Sequence, residues 1–174
     1  MNEIELPLFG KIKLEESNGE YEYWLWKYDF DGKPVDLDVH FDELTEKKIA
    51  QVSDALNKLN DIHQKGIDAF QKDFEEGGRV QEYIEEWNED GFIQVFEEGE
   101  FEKFIKNANP EETIEKRLLS LIRIVRIGFY TQSDESFLVL DFAFGYDQDH
   151  GFRDDMVVVT LNEKYEVTDI TSEG

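Results

Sequence analysis

Four polar side chains at alternating positions, Asp36, Asp38, His40 and Asp42, are the residues of this sequence most suited to chemistry. Residues two apart in a strand share a face, and carboxylates with an imidazole can bind a divalent ion. However, such neighbours lie about 6.5–7 Å apart along a strand, so ligation would need further groups. The spacing favours a solvated strand face, or an edge strand charged against aggregation, with metal binding as the alternative.

A second acidic cluster lies in the loop GYDQDHGFRDD, where His150 stands among Asp147, Asp149, Asp154 and Asp155. The loop does not fit the EF-hand pattern, because Phe152 occupies the position that requires glycine and no Glu stands at the twelfth place. Turn loops are rich in Asp for backbone reasons. We therefore predict no metal ligands and no cofactor, and keep a metal-binding protein or metal-dependent enzyme as the alternative function.

The strongest candidate for a binding surface is an acidic, aromatic segment. From Glu75 to Glu102 the chain has eleven acidic residues and one base, Arg79. A charge run is usually a solvated helix face, but acid around aromatic anchors also suits a basic partner. The predicted partner-binding residues are Glu82, Glu85, Glu86, Trp87, Glu89, Asp90, Phe96, Glu97 and Glu98.

The sequence contains no recognisable catalytic signature. It has no cysteine, no Gly-rich phosphate loop, no G-x-S-x-G and no H-E-x-x-H. Its three histidines fall in different predicted elements. We predict no catalytic residues, and the sequence offers no argument for an enzyme.

The charge of the chain restricts its partners. With 42 acidic and 18 basic residues among 174, the formal net charge is −24. Such a field repels nucleic acid and anionic membranes and attracts cationic proteins; acidity that serves solubility alone is the alternative. No secretory signal or apolar run of membrane-spanning length is present. We therefore expect a cytoplasmic protein.

Hydrophobic periodicity predicts one α+β domain over residues 1–174, in the order β-β-β, helical block, β-β-β-β. The helical block covers about 45–120, opens at Thr45, and carries a possible break at Gly66. The strands should form one mostly antiparallel twisted sheet with the helices packed on one face. The predicted strands are one or two within Ile4–Leu14, then Tyr21–Phe30, Val35–Phe41, a hairpin within Leu121–Phe144, Met156–Leu161 and Tyr165–Thr171.

Two of these strands carry open questions. Tyr21–Phe30 has aromatic residues on both faces, which favours a central strand covered on both sides; the alternative is that one of its two faces is a partner surface. Leu121–Ile127 also fits a helical period, but its β-branched residues favour a strand. Arg123 and Arg126, the charged residues of that segment, are expected to pair locally with surplus acid.

Several segments resemble a bacterial protein family defined as a domain of unknown function, number two thousand and four. They are PLFGKI (Pro7–Ile12), the Asp31-Gly32 turn, IRIVRIGFY (Ile122–Tyr130), FLVLDFAFG (Phe137–Gly145) and VVVTLNEKYEVTDI (Val157–Ile170). These motifs are structural and imply no catalytic residues. Small acidic α+β proteins of similar architecture include immunity proteins of bacterial toxin systems. The charge of −24, the acidic aromatic segment and the missing catalytic motifs suggest a non-enzymatic protein that blocks a cationic toxin, such as a nuclease, by protein–protein contact. A cytoplasmic scaffold whose acidity serves solubility alone is a further alternative.

Overall fold

A seven-stranded sheet organises the computed structural model, which describes residues 2–87, 105–106, 108–144 and 155–174. The strands are β1 (Glu3–Leu6), β2 (Gly10–Lys13), β3 (Glu15–Ser17), β4 (Glu20–Phe30), β5 (Lys33–Phe41), β6 (Ile122–Tyr130), β7 (Leu138–Phe144), β8 (Met156–Leu161) and β9 (Val167–Glu173). The described helices are α1 (Glu46–Asn57), α2 (Leu59–Glu75), α3 (Arg79–Glu86) and α4 (Ile114–Leu119).

The sheet is mostly antiparallel, as predicted. Strands β3 to β9 lie side by side in chain order, and β5 and β6 form its one parallel pair among the described residues. Two parallel neighbouring strands need a long crossover connection. The helices lie in the connection between β5 and β6. The four strands after the helices are confirmed, whereas the segment Ile4–Leu14 contributes two short strands that pair with each other in a separate hairpin.

Strand β5 lies inside the sheet, between β4 and β6. The prediction of a charged edge strand for Asp36, Asp38 and His40 is therefore wrong. The prediction of a solvated face is also wrong at its centre, since Asp36 and Asp38 are buried. The position of β5 inside the sheet depends on its pairing with β6, which is distant in sequence. Alternation along β5 alone cannot predict this pairing.

Strand β6 includes most of the segment Leu121–Ile127, for which the sequence pattern fitted both a helix and a strand. Its pairing with β7 shifts between Ile124 and Arg126, so Val125 is the extra residue of a β-bulge. Ile124 pairs with Phe142 and Ile127 with Leu140, so both lie on the face that packs against the helices. The bulge turns Arg126 to the opposite face, which explains why simple alternation fits this strand poorly.

Helix α2 packs directly on that apolar face. The rings of Phe70 and Phe142 stack with centroids 4.4 Å apart, and Gly66 is buried against the sheet. The prediction of a helix break at Gly66 is wrong, because α2 continues through this residue. The predicted long helix is instead interrupted at Lys58, between α1 and α2. Gly66 serves close packing, because a Cβ there would lie 2.5 Å from Leu140 Cδ2.

Replacing Gly66 with alanine should destabilise the protein by about 1 kcal/mol. The gain in helix propensity, about 1 kcal/mol, is outweighed by overpacking against the buried Leu140, which costs about 1–3 kcal/mol. Urea unfolding of Gly66→Ala tests this. In a Leu140→Val background, which removes the Cδ2 atom, the Gly66→Ala change should become neutral or stabilising. If Gly66→Ala alone stabilised the protein, the packing argument would be contradicted.

Among the described residues, no helix has the length and apolarity needed to cross a membrane.

Candidate functional site

An ion-pair network lies on the sheet face opposite α2, across strands β5, β6 and β7. Arg126 Nε donates to Asp38 Oδ1 at 2.8 Å, and Arg126 Nη2 donates to Asp38 Oδ2 at 2.7 Å. Arg126 Nη1 donates to Asp141 Oδ2 at 3.0 Å. Asp38 is fully buried and Asp141 nearly so. One guanidinium therefore neutralises parts of two buried carboxylates, in the two-pronged geometry that arginine forms best.

Gly128 makes room for this network. It pairs with Asp38 on β5 and with Val139 on β7. A Cβ at Gly128 would lie 2.7 Å from the Tyr130 ring, 2.9 Å from Arg126 Nη2 and 3.2 Å from Asp38 Oδ2. Because Gly128 has no side chain, the side chain of Arg126 can extend along its own strand, over Gly128, to reach Asp38.

Aromatic rings enclose the guanidinium. Arg126 Cζ lies 5.2 Å from the ring centroid of Trp24 and 5.8 Å from that of Tyr130, within the range of cation–π attraction. Arg126 Nη2 also donates to the Tyr130 hydroxyl oxygen. The ring of Tyr130 stacks on His40, with centroids 4.5 Å apart and planes 2° from parallel.

His40 is held by a carboxylate at each ring nitrogen. Its Nε2 lies 2.5 Å from Asp38 Oδ2, and its Nδ1 lies 3.3 Å from Glu22 Oε2. A neutral imidazole has one N–H, so both contacts are hydrogen bonds at once only when the ring is protonated. Both ring nitrogens of His40 therefore face carboxylates of the protein itself.

Burial and charge shift the pKa of three groups in the network. Burial opposes the charge of Arg126, but the hydrogen bonds and charge of Asp38, with the charge of Asp141, outweigh it and raise the pKa of Arg126. Burial raises the pKa of Asp141 against the opposing charge of Arg126. Burial, with the charge of Asp38, also raises the pKa of Tyr130. Arg126 is therefore the permanent positive centre of the site.

A second β-bulge, in β4, presents a tryptophan beside this network. The pairing of β4 with β5 shifts between Leu25 and Tyr28. Lys27 adopts a left-handed φ of 55°, and its backbone N–H donates to Asp36 Oδ1 at 2.9 Å. Trp26 stacks on Trp24 with centroids 4.9 Å apart, yet Trp26 remains 60% exposed. A left-handed non-glycine residue costs free energy, so this bulge holds Trp26 outward at a cost in stability.

Acidic side chains flank the tryptophans. Glu15 on β3 pairs directly opposite Glu22 on β4, and Glu22 pairs opposite His40 on β5. Like charges in directly opposed positions destabilise a sheet. We call the surface formed by Glu15, Glu22, Trp24, Trp26 and His40 the tryptophan patch. It combines exposed aromatic area with unbalanced negative charge.

The acidic residues predicted to bind a partner lie on α3 where the structure describes them. Glu82, Glu85 and Glu86 are exposed on α3, where Arg79 forms a surface ion pair with Glu82. Trp87 is only 6% exposed and packs its ring against Phe144 and Tyr83. Its indole therefore contributes to the core here, and not to the surface. Glu89, Asp90, Phe96, Glu97 and Glu98 lie outside the described residues.

The two predicted metal candidates have different outcomes. In the strand cluster, Asp38 is bound by Arg126, whereas Asp42 binds Lys48 Nζ at 2.6 Å and accepts from the Thr131 hydroxyl at 2.8 Å. No three His, Asp or Glu side chains converge on a metal-sized space within the part of the chain that the structure describes. In the loop, Asp155 is described, and its carbonyl accepts from Tyr83; Asp147, Asp149, His150 and Asp154 lie outside.

His63 is half-buried on α2 and stacks on Phe30, with ring centroids 4.2 Å apart. Burial lowers the pKa of His63; the charge of Asp31 opposes this shift and that of Lys33 adds to it. The folded protein therefore favours the neutral ring.

This predicts a specific pH dependence for His63. The pKa of His63 is about 6.5 in the unfolded chain and lower in the folded protein. The stabilisation that the neutral ring contributes to the folded state is therefore complete above about pH 6.5. It is lost as the pH falls toward the pKa of the folded protein. In His63→Phe, which keeps a ring on Phe30, the free energy of unfolding should decline less between pH 7.5 and 5. Denaturant titrations across this range measure the difference, and parallel curves for the two proteins would contradict it.

The sequence contained part of the signal for this site. It identified Asp36, Asp38 and His40 as a polar face and one of the two aromatic faces of Tyr21–Phe30 as the alternative partner surface. It missed Arg126, Gly128, Tyr130 and Asp141, because Arg126 pairs with Asp38 across 88 positions of sequence and not with local acid. The arginines of β6 and the single Asp of β7, in otherwise apolar strands, were the available clue.

Comparisons with protein-family models, with curated proteins and with solved structures gave no match to this chain. The resemblance to the bacterial domain family therefore stays a prediction based on the motifs quoted above.

Proposed function

We propose that this protein is a non-enzymatic acidic binding protein that recognises a cationic protein, as a cytoplasmic immunity protein recognises a toxin. The observation that carries the proposal is Trp26, which is 60% exposed and lies at the bulge of β4. Tryptophan is the residue type most enriched among binding hot spots. A solvent-exposed tryptophan at a strained bulge is better explained by contact with a partner than by folding.

The charge around Trp26 favours a cationic partner. Glu15 and Glu22 oppose each other across β3 and β4, and the whole chain carries a net charge of −24. One cationic side chain of a partner would stack on the Trp26 ring, and another would pair with the carboxylates of Glu15 and Glu22. Binding would then relieve the repulsion between Glu15 and Glu22 that the free protein tolerates.

Contacts within the protein hold the patch before binding. Asp36 accepts a hydrogen bond from the Lys27 N–H of the bulge, and Trp24 contacts both Trp26 and the partly buried Arg126. A surface already held in its binding geometry loses less conformational entropy on association. This supports contact by the tryptophan patch as a preformed surface.

The acidic side chains of α3 retain a separate role in the proposal. Glu82, Glu85 and Glu86 are exposed, and charges outside the central contact mainly accelerate association. Removing them should lower the association rate constant and its dependence on salt. Removing Trp26 should instead raise the dissociation rate constant.

The test begins with capture of basic proteins from cells of the native host at low ionic strength. Each captured protein is purified and its binding kinetics to wild type and three variants are measured. Trp26→Ala and Glu15→Gln/Glu22→Gln should weaken binding at least about tenfold, which is 1.4 kcal/mol. The triple variant Glu82→Gln/Glu85→Gln/Glu86→Gln should slow association with little change in dissociation.

Two results would overturn the proposal. One is that no basic protein is retained at low salt. The other is that Trp26→Ala binds the captured protein as tightly as wild type does, while far-ultraviolet circular dichroism shows the variant folded. Loss of binding only in the α3 triple variant would transfer the interface to α3.

A further inference from the structure

A cavity lies on the helix side of the sheet, on the face opposite the tryptophan patch. It opens between the β4–β5 turn, helix α2 and the chain that leads from α4 into β6, and its volume is about 370 Å³. This volume lies near the lower end of the range found for small-molecule sites. The cavity therefore suits a ligand of modest size.

The apolar walls of the cavity are open to a ligand, whereas its base is closed. Phe70 and Phe142 line the base, and each is at most 5% exposed. Around them, Leu119 and Ile122 are partly exposed and Ile67 is 37% exposed. A ligand that covers these walls removes apolar surface from water, which favours binding.

One wall of the cavity is aromatic. Phe30 stacks on His63 with ring centroids 4.2 Å apart and planes 26° from parallel. Both side chains are partly exposed, so a ring of a ligand can extend this stack or pack edge-on against it. Such ring contacts add to the free energy that apolar burial provides.

His63 also supplies hydrogen-bonding groups. Burial lowers the pKa of His63, so its ring favours the neutral form, with one donor and one acceptor nitrogen. Within the described part of the chain, no residue hydrogen-bonds to either nitrogen. A polar group of a ligand, whether donor or acceptor, can therefore bond to this ring.

The charges at the mouth of the cavity oppose each other. Asp31 and Lys33 are both exposed there, and the charge of Asp31 raises the pKa of His63 whereas that of Lys33 lowers it. Alternation directs the Arg123 side chain to the other face of the sheet, because its neighbours Ile122 and Ile124 line the cavity. A charged ligand would lose its hydration here without a matched counter-charge.

We propose that this cavity binds an uncharged aromatic molecule that carries one polar group, such as an amide. Its ring lies against Phe30 and Ile67, and its polar group hydrogen-bonds to His63. Apolar contact supplies most of the affinity, and the absence of charge on the ligand decides the selectivity. The site is independent of the proposed protein partner, because the tryptophan patch lies on the opposite face of the sheet.

Three analogues that share one ring test the selectivity. Phenylacetamide is uncharged, phenylacetate is an anion and phenethylamine is a cation. Titration of the ¹⁵N-labelled protein with phenylacetamide should give saturable shifts in the backbone signals of His63 and Ile67. Both charged analogues should bind at least about tenfold more weakly. A charged analogue that binds as tightly as phenylacetamide overturns the proposal, as does the absence of saturable shifts.

A filling variant tests the location. Ile67→Trp should abolish the shifts while the rest of the spectrum stays that of a folded protein. Lys72→Trp is the matched control, because Lys72 is exposed on the same helix and does not line the cavity; it should bind phenylacetamide like wild type. Unchanged binding in Ile67→Trp would place the ligand elsewhere and overturn the proposal.

A second variant tests the hydrogen bond. His63→Phe keeps a ring beside Phe30 and removes both nitrogens, so it should weaken the binding of phenylacetamide about threefold or more. Ethylbenzene, which has no polar group, should bind this variant no more weakly than wild type. If His63→Phe weakened both probes equally, the assigned role of His63 would be wrong. None of these results depends on the tryptophan patch.

Discussion

Replacing Arg126 with methionine is expected to lower the free energy of unfolding by about 3–5 kcal/mol. The guanidinium is the partner of Asp38, which is fully buried, and of Asp141, which is nearly so. Methionine fills much of the same space but leaves both carboxylates without their counter-charge. A buried charge that loses its partner is far more costly than a broken surface pair.

Arg79→Met is the matched control for this prediction. Arg79 forms an ion pair with Glu82 in which both side chains are more than half exposed, so the same substitution should cost less than about 1 kcal/mol. Urea unfolding of the two variants gives a direct comparison. Equal effects would show that the buried network contributes no more than an ordinary surface pair.

A double-mutant cycle and a pH series separate charge from packing. In Asp38→Asn/Arg126→Met, part of the loss should be recovered, because one uncompensated charge is removed with the guanidinium. The charge of Arg126 lowers the pKa of Asp141 against its burial, so the Arg126→Met protein should hold a proton on Asp141 more readily. Its deficit relative to wild type should therefore shrink as the pH falls from 7 toward about 4. A deficit independent of pH would assign the loss to packing.

Replacing Phe142 with alanine is expected to cost about 3–5 kcal/mol. The ring is almost fully buried, stacks on Phe70 at 4.4 Å and lies 3.6 Å from the Cβ position of Gly66. It therefore joins β7 to α2 at the closest approach of helix and sheet. The cavity left by the missing ring cannot close without moving α2, so its cost adds to the lost apolar burial.

Thermal and denaturant unfolding of Phe142→Ala measure this effect. Val167→Ala, at a position 41% exposed on β9, is the control and should change stability by less than about 0.5 kcal/mol. A cycle with Phe70→Ala should show a coupling of about 0.5–1.5 kcal/mol, the amount typical of aromatic pairs. If Phe142→Ala and the control behaved alike, α2 would not be anchored by this contact.

One arginine serves Asp38 and Asp141 together, and the aromatic rings of Trp24 and Tyr130 lie around its guanidinium. Other acidic residues, such as Glu85 and Glu86, lie on exposed positions, where they add to the negative potential around the protein.

The sequence by itself determined the class of fold and the electrostatic character of this protein. Alternation predicted β5, an aromatic-rich run predicted β4 and a short apolar run predicted β8, because each of these patterns is local. The Thr45 cap likewise marked the start of α1, where its hydroxyl accepts from the Lys48 N–H. The net charge required no structure at all. Apolar spacing could not assign Trp87, since a core residue and a partner anchor on a helix share the same period.

Only the tertiary structure decided which polar residues meet. The parallel pairing of β5 with β6 places Arg126 beside Asp38, and the bulge at Val125 turns Arg126 to that face. Gly66 and Gly128 could not be interpreted locally either, because their role is to admit side chains from elsewhere in the chain. The physical reason is common to all of these: a site built from strands far apart in sequence depends on the order and register of those strands. Periodicity along one strand contains neither.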